Sequence, residues 1–301
     1  VNGDTTATAL TAGPTLATAA VTGSAVGSYQ ITVAGGTSTN YTLTRPYGTL
    51  TVTRAALALK ADPKSKIYGA DNPTLTVSAV GIVNGDTTAT ALTAGPTLAT
   101  TAVTGSPVGS YPITLTGGTS ANYLLTRQNG TLTVTKAALA LKADPKSKIY
   151  GGSNPTLTFS AIGLVNGDTT ATALTATPTL ATAAVTGSPV GSYQITVTGG
   201  TSTNYTLTRP YGSLSVTKAP LTLKADPKSK IQGADNPTLT FSAIGLVNGD
   251  TTATALTATP TLSTTAVTGS PVGSYPITLT GGTSANYLLT RQNSTLTVTS
   301  G

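Results

Sequence analysis

The chain has 301 residues, a net charge of +7 from only 8% charged residues, and no His, Cys, Met or Trp. All nine acidic residues are Asp, so Glu is absent as well. This inventory excludes a disulfide framework, thiolate metal sites and any catalysis resting on His, Cys or Glu.

The first four residues, Val1-Asn2-Gly3-Asp4, return at Val83, Val165 and Val247, a constant spacing of 82 residues with most of the intervening text copied. Such a period marks a tandem array. Residues 1–56 form the latter two-thirds of one copy, and residues 57–138, 139–220 and 221–301 form three full copies. The joints are as short as Thr53-Arg54-Ala55-Ala56, without a Gly/Ser-rich linker. Short joints predict beads set end to end as an elongated rod, each spanning on the order of 30–40 Å. No apolar run reaches transmembrane length, and no signal peptide or lipidation motif is visible.

Within a full copy the apolar residues alternate with Thr. In the first, Leu57, Leu59 and Ala61 share one face, followed by Leu75, Val77 and Ala79, then Tyr111, Ile113 and Leu115, and last Leu132 and Val134. Period two predicts strands with one buried face, and β-branched Thr suits the exposed one. Asp62-Pro63 and Asn72-Pro73 are expected to stop strands, and Gly105-Ser106-Pro107 and Gly117-Gly118 to reverse the chain. Asn129-Gly130 reads as a hairpin turn between Leu125 and Leu132. Asp86 is placed to cap one or two helical turns over the Thr-rich run after it. The expected fold is all-β: small β-sandwich or β-grasp-like domains, with at most one short helix each. The core of the first full copy is expected to hold Leu59, Leu75, Val77, Leu98, Val103, Tyr111, Ile113, Leu115, Tyr123, Leu125, Leu132 and Val134.

Two variants of the copy alternate. Thr39 to Gly48 and Thr203 to Gly212 read Thr-Asn-Tyr-Thr-Leu-Thr-Arg-Pro-Tyr-Gly, whereas Ala121 to Asn129 and Ala285 to Asn293 read Ala-Asn-Tyr-Leu-Leu-Thr-Arg-Gln-Asn. Next-nearest copies are therefore more alike than neighbours. That relation follows from duplication of a two-copy block and could also limit domain swapping between neighbours.

The run Leu59-Lys60-Ala61-Asp62-Pro63-Lys64-Ser65-Lys66-Ile67-Tyr68-Gly69 is followed in order by Asn72-Pro73-Thr74-Leu75-Thr76, Val83 to Asp86, Val108 to Tyr111, Asn122-Tyr123 and Gly130 to Val134. This ordered set closely resembles the bacterial MBG domain of the YGX type, in all three full copies and in the latter part of the first. The resemblance implies tandem repeats of large extracellular, adhesin-like bacterial proteins, a cell-surface or secreted setting, and no catalytic residues. Gln232 departs from the tyrosine at Tyr68 and Tyr150.

The chemistry left to weigh is sparse. Catalytic, cofactor and metal sites are not expected: Asp71, Asn72 and Asp86 recur as an oxygen-rich set, but Ser153 replaces the first of them and no Asp-x-Asp ladder is present. Lys60, Lys142 and Lys224 could in principle join an Asn by an isopeptide bond, but no Glu is available to promote it. The Thr arrays lack the short period of an ice-binding face, and the sequons at Asn40, Asn129, Asn204 and Asn293 are incidental in a bacterial chain. Lys64, Lys66, Lys146, Lys148, Lys228 and Lys230 form recurring basic segments. They are the candidate contacts for a surface glycan or other anionic polymer, without the interleaved aromatics that nucleic acid would need. The expected role is an adhesin stalk or spacer or a fibre body. Expected partners are neighbouring copies, further molecules joined by β-strand addition into a filament, or glycans.

Overall fold

The structure, a computed structural model, describes every residue from Val1 to Gly301. The chain separates into two compact units, Val1–Ala137 and Ala138–Gly301. In the first unit the partial copy supplies helix α1 (Thr6–Ala9) and strands β1 (Ala12–Thr18), β2 (Gly27–Thr37) and β3 (Gly48–Val52). The full copy after it supplies β4 (Ala55–Ala61), β5 (Lys64–Ile67), β6 (Val77–Val80), α2 (Thr88–Ala91), β7 (Ala94–Thr100), β8 (Gly109–Thr119), β9 (Tyr123–Gln128) and β10 (Gly130–Thr135). The second unit repeats that set twice. Its first copy runs β11 (Ala137–Ala143), β12 (Lys146–Ile149), β13 (Phe159–Ile162), α3 (Thr170–Ala173), β14 (Ala176–Thr182), β15 (Gly191–Thr201), β16 (Tyr205–Thr208) and β17 (Gly212–Thr217). Its second runs β18 (Ala219–Ala225), β19 (Lys228–Ile231), β20 (Phe241–Ile244), α4 (Thr252–Ala255), β21 (Ala258–Thr264), β22 (Gly273–Thr283), β23 (Tyr287–Gln292) and β24 (Ser294–Thr299).

Each full copy is a seven-stranded, two-sheet β domain with one short helix. In the first, a three-stranded sheet ordered β6-β4-β9 faces a four-stranded sheet ordered β5-β10-β8-β7. Leu57, Leu59 and Ala61 on β4 meet Ile113 and Leu115 on β8 and Leu132 on β10 in one buried cluster, which is the period-two pattern of each strand folded inward. Two of the pairings are parallel. β4 runs alongside β9, Ala55 opposite Tyr123, and β5 alongside β10, Lys64 opposite Leu132. A parallel pair needs a crossover, and here the rest of the copy supplies it: the first two strands join the last two, one pair in each sheet.

The all-β class, the repetition and the short helix stand as expected, while several local readings are corrected. Seven strands are present where four runs were legible, because β5, β7 and β9 have weak alternation. Asn129-Gly130 is no hairpin: β9 and β10 lie in different sheets, and Asn129 marks the crossover, its side chain accepting a hydrogen bond from the Leu115 N–H at 3.0 Å. Gly117 and Gly118, at φ 68° and 80°, lie inside β8 rather than at a reversal. Their flipped carbonyls accept hydrogen bonds from Arg127 Nε (2.6 Å) and Nη2 (2.8 Å), which ties β9 across to β8. The cap of α2 is Thr87, not Asp86. The Thr87 hydroxyl accepts from the Thr90 N–H at 3.2 Å, and the Thr90 hydroxyl accepts from the Thr87 N–H at 2.8 Å. Val103, expected in the core, is 64% exposed, while its neighbour Ala102 is buried. The turn closed by Ser106 N–H on the Val103 carbonyl aims that side chain outward.

The partial copy shows what its missing strands do. It keeps one sheet, β1-β2-β3, with no counterpart of β4 or β5. Tyr123–Gln128 is a strand because it pairs with β4, whereas the matching stretch 41–46, lacking that neighbour, forms none. Leu50 is 39% exposed where Leu132 and Leu214 are fully buried.

Candidate functional site: the joint between copies

Each unit holds one joint between successive copies. Part of the joint is common to both. The Val26 N–H donates to Asn122 Oδ1 at 3.1 Å in the first unit, and the Val190 N–H donates to Asn286 Oδ1 at 3.0 Å in the second. Backbone bonds at the linker match too: the Ala55 N–H to the Asn122 carbonyl and the Ala219 N–H to the Asn286 carbonyl, both 3.0 Å. A basic residue fastens each linker to the next copy, Arg54 Nε to the Ala121 carbonyl (3.2 Å) and Lys218 Nζ to the Ser284 carbonyl (2.8 Å). The linker is therefore bonded backbone, not a free tether.

The second unit adds a tyrosine lock. Strand β12 pairs in parallel with β17, and the Tyr150 N–H continues that ladder by donating to the Thr217 carbonyl at 2.8 Å. The chain then turns at Gly151, φ 79°, and pushes the Tyr150 ring into the next copy. Its hydroxyl donates to Asp250 Oδ2 at 3.0 Å and accepts from Asn248 Nδ2 at 3.2 Å. The ring stands edge-on to Tyr287, centroids 5.5 Å apart at 80°. Tyr150 is buried as part of the core of the following copy, with Val190 and Val216 beside it, so apolar packing runs through the joint without a break.

Tyr287 anchors the receiving side. Its hydroxyl donates to Asp250 Oδ2 at 2.7 Å, and the Val247 N–H donates to it at 3.0 Å. Burial, with Asp250 and Tyr150 adding to it against the opposing bond to the Val247 backbone, pushes the Tyr287 phenol up to about 12. The sharp turn that presents Asp250 places Asn248 at φ 60° and Gly249 at φ 73°. The Val-Asn-Gly-Asp tetrapeptide that first reveals the repeat is thus the receiving half of the joint, and the Tyr-Gly pair is the inserting half.

The six lysines picked out by sequence divide into two kinds. Lys66, Lys148 and Lys230 are buried, at 6–7% exposure, and their ammonium groups are engaged within their own copies. Lys66 Nζ donates to the carbonyls of Ala70 (3.0 Å) and Val103 (2.6 Å), and Lys148 and Lys230 repeat the pair. They sit on the inner face of β5, β12 and β19. Lys64, Lys146 and Lys228 are half-buried at the start of the same strands. Beside Lys64, Asp62 accepts from the Ser78 (2.5 Å) and Thr76 hydroxyls, which, with smaller help from Lys64 and Lys60, hold its carboxyl below the usual range. Lys60, Lys142 and Lys224 are exposed. Asp71 accepts from the Thr104 hydroxyl and Asn72 donates to the Ala102 carbonyl, so both tie their turn to the 102–104 segment, while Asp86 accepts from Tyr123. The tyrosine lock was not anticipated. Its signal was the recurrence of Tyr-Gly at Tyr68 and Tyr150 without an obvious role in its own copy.

The family model described as MBG domain (YGX type) matches residues 1–51, 57–133, 139–215 and 221–297. No curated protein matches the chain. Among solved structures, the three N-terminal domains of the bacteriophage RB49 Highly Immunogenic Outer Capsid protein (Hoc) align over 97% of this chain and 100% of that one. Identity there is 10% and the TM-score 0.23, too low to carry an argument.

Proposed function

The chain belongs to the MBG domain (YGX type) family, and we propose that it is a non-catalytic structural spacer: the stalk of a bacterial surface adhesin or the body of an extracellular fibre. The observation that supports this reading is the joint of the second unit, where a tyrosine of one copy becomes core of the next. Such a joint resists bending because opening it exposes a buried ring and leaves Asp250 and Asn248 without one partner each. Function is then geometric, since each added copy extends reach. No helix is long and apolar enough to cross a membrane.

Small-angle scattering of the 301-residue protein tests the proposal. A compact globule of this length has a radius of gyration of about 19 Å. A spacer requires a value well above that, with the elongated profile kept across salt concentrations. A radius near the compact value would overturn the reading.

A further inference from the structure

Of the twelve tyrosines, only Tyr47 and Tyr211 combine an exposed ring with a hydroxyl that makes no hydrogen bond. The others are buried or bonded: Tyr29, Tyr111, Tyr193 and Tyr275 each donate to the carbonyl four residues before them, and Tyr123 and Tyr287 donate to an aspartate. Tyr211 stands in a complete copy and is 64% exposed. It belongs to the Arg-Pro-Tyr-Gly variant of the repeat. In the other variant its place is taken by Asn129 or Asn293, whose side chain accepts the Leu115 or Leu279 N–H at 3.0 Å and clasps the crossover. Tyr211 gives up that clasp and gains no bond in exchange. A residue that trades a structural bond for an exposed ring marks a functional position.

The ring is presented on a fixed backbone. Pro210 has no N–H to continue a ladder, so β16 stops at Thr208, whereas β9 and β23 run on to Gln128 and Gln292. The Ala143 N–H donates to the Pro210 carbonyl at 3.2 Å, and a Cβ on Gly212 would meet the Ala143 carbonyl oxygen at 2.6 Å. Tyr211 lies between these two contacts. Lys142 and Asp144, on either side of Ala143, are thereby brought beside it; in the other variant Lys60 and Lys224 lie opposite Gln128 and Gln292, the place that Pro210 holds here. The Ser160 and Thr158 hydroxyls, with smaller help from Lys146 and Lys142, hold the Asp144 carboxyl below the usual range, so both ammonium groups lie within electrostatic reach of it. Pro145, Pro210 and Lys142 are exposed with the ring. The surface is an apolar platform with two lysines against one aspartate at its rim.

We propose that this surface is a binding site for an acidic polysaccharide, with the Tyr211 ring stacked on the face of a sugar and Lys142 and Lys146 paired with the carboxylates of the chain. The negative face of a phenol ring attracts the polarised C–H bonds of a pyranose, and a tyrosine on a pinned backbone offers wide contact at small entropic cost. Single-stranded nucleic acid also stacks on aromatic rings, but it draws on several in succession, and here one ring serves a whole copy. The site alternates along the array, since Lys60, Asp62 and Lys64 recur in the first full copy beside Gln128 and Asn129 in place of Pro and Tyr. It goes beyond the spacer reading and is independent of it: a rod that bound nothing would keep its scattering profile and fail the test below.

The test follows amide resonances of the intact 301-residue protein during titration with a galacturonic acid oligomer. Saturable shifts are expected at Lys142, Asp144, Tyr211 and Gly212. The protein is +7 and attracts any polyanion, so dependence on the ring is decisive. Tyr211→Ala should weaken binding about tenfold or more, and Lys142→Ala with Lys146→Ala by a similar factor. Gln128→Pro with Asn129→Tyr should create a second site, read as new shifts at Lys60, Asp62 and Gly130. No shift at millimolar oligomer, or binding indifferent to Tyr211→Ala, would overturn the proposal. A neutral glucose oligomer bound equally well, or a thymidine oligomer bound more tightly, would overturn the ligand class.

Discussion

The two joints share a linker, an asparagine clasp and a basic fastener, yet only that of the second unit has a tyrosine inside it. One consequence is the reach of the core. In the second unit the cluster of the last copy takes in Tyr150 and Val216 from the copy before, whereas in the first unit the cluster of the full copy takes in nothing from residues 1–53. The bonded linker therefore sets the register of neighbouring copies, and the inserted ring makes them one packed body. Removing the ring should turn the second joint into the first.

Tyr150→Ala is the strongest way to force that conversion. Truncating a buried aromatic costs about 3–4 kcal/mol, through lost transfer and the cavity left behind. The cost should fall on the third copy, where amides of Leu221 and Leu223 on β18 should exchange at least a hundredfold faster by residue-resolved hydrogen exchange. The first unit should not respond. Equal loosening of both units would show that the ring is not what distinguishes them.

Gly151→Ala attacks the same joint through the backbone. Gly151 has φ 79°, and a Cβ there would meet Val247 Cγ2 at 2.4 Å and Cβ at 2.8 Å. Left-handed strain and overlap together should cost about 2–3 kcal/mol. Gly233 in the third copy has φ 86° but open space around it, so Gly233→Ala should cost only about 1 kcal/mol. Thermal unfolding of the two variants side by side measures the difference, which isolates the contact with Val247 from the backbone term common to both.

Tyr150→Phe keeps the ring and removes its hydroxyl. Asp250 retains the bond from Tyr287, so the loss is one bond to a carboxylate and one from Asn248, about 1–2 kcal/mol in all. Denaturant unfolding should rank this variant between the parent and Gly151→Ala. A Phe variant as damaging as Ala would mean that the polar bonds, rather than the packed ring, hold the copies together.

Sequence carried the repeat, the all-β class and most of the core, because period-two alternation survives wherever one face of a strand is buried, as in Leu57-Leu59-Ala61 and Leu132-Val134. It did not carry β5, whose Lys-Ser-Lys-Ile has one buried position, and that one a lysine whose ammonium donates to two carbonyls. Composition marks such a segment as a surface loop, and only the tertiary ladder makes it a strand. Asn129-Gly130 misled for a related reason: turn chemistry reports that the chain bends, not whether the strands on either side share a sheet. The joint was illegible because its two halves lie about a hundred residues apart, and Tyr150, Asn248 and Asp250 each have an ordinary reading alone, as a strand end, a turn and a cap.

The smallest expected effect is also the most direct reading of the two environments. Tyr123 and Tyr287 are the same residue of the repeat, each bonded to its own Asp, but only Tyr287 has a second ring against it. The Tyr287 phenol is pushed up to about 12, chiefly by burial. Tyr123 is also raised: its bond to the Val83 backbone opposes the shift, while burial and Asp86 outweigh it. A phenol whose pKa is higher folded than unfolded favours the folded state while it keeps its proton. That contribution is complete below about pH 10, the ordinary value, and for Tyr287 is lost as pH rises towards about 12. Absorbance titration near 295 nm should show a phenol ionising late that disappears in Tyr287→Phe. In the Tyr150→Ala variant, which restores water to the joint, it should move down towards the range of Tyr123. A late step unmoved by Tyr150→Ala would place its cause in the Asp250 bond, and the two joints would then differ in shape but not in polarity.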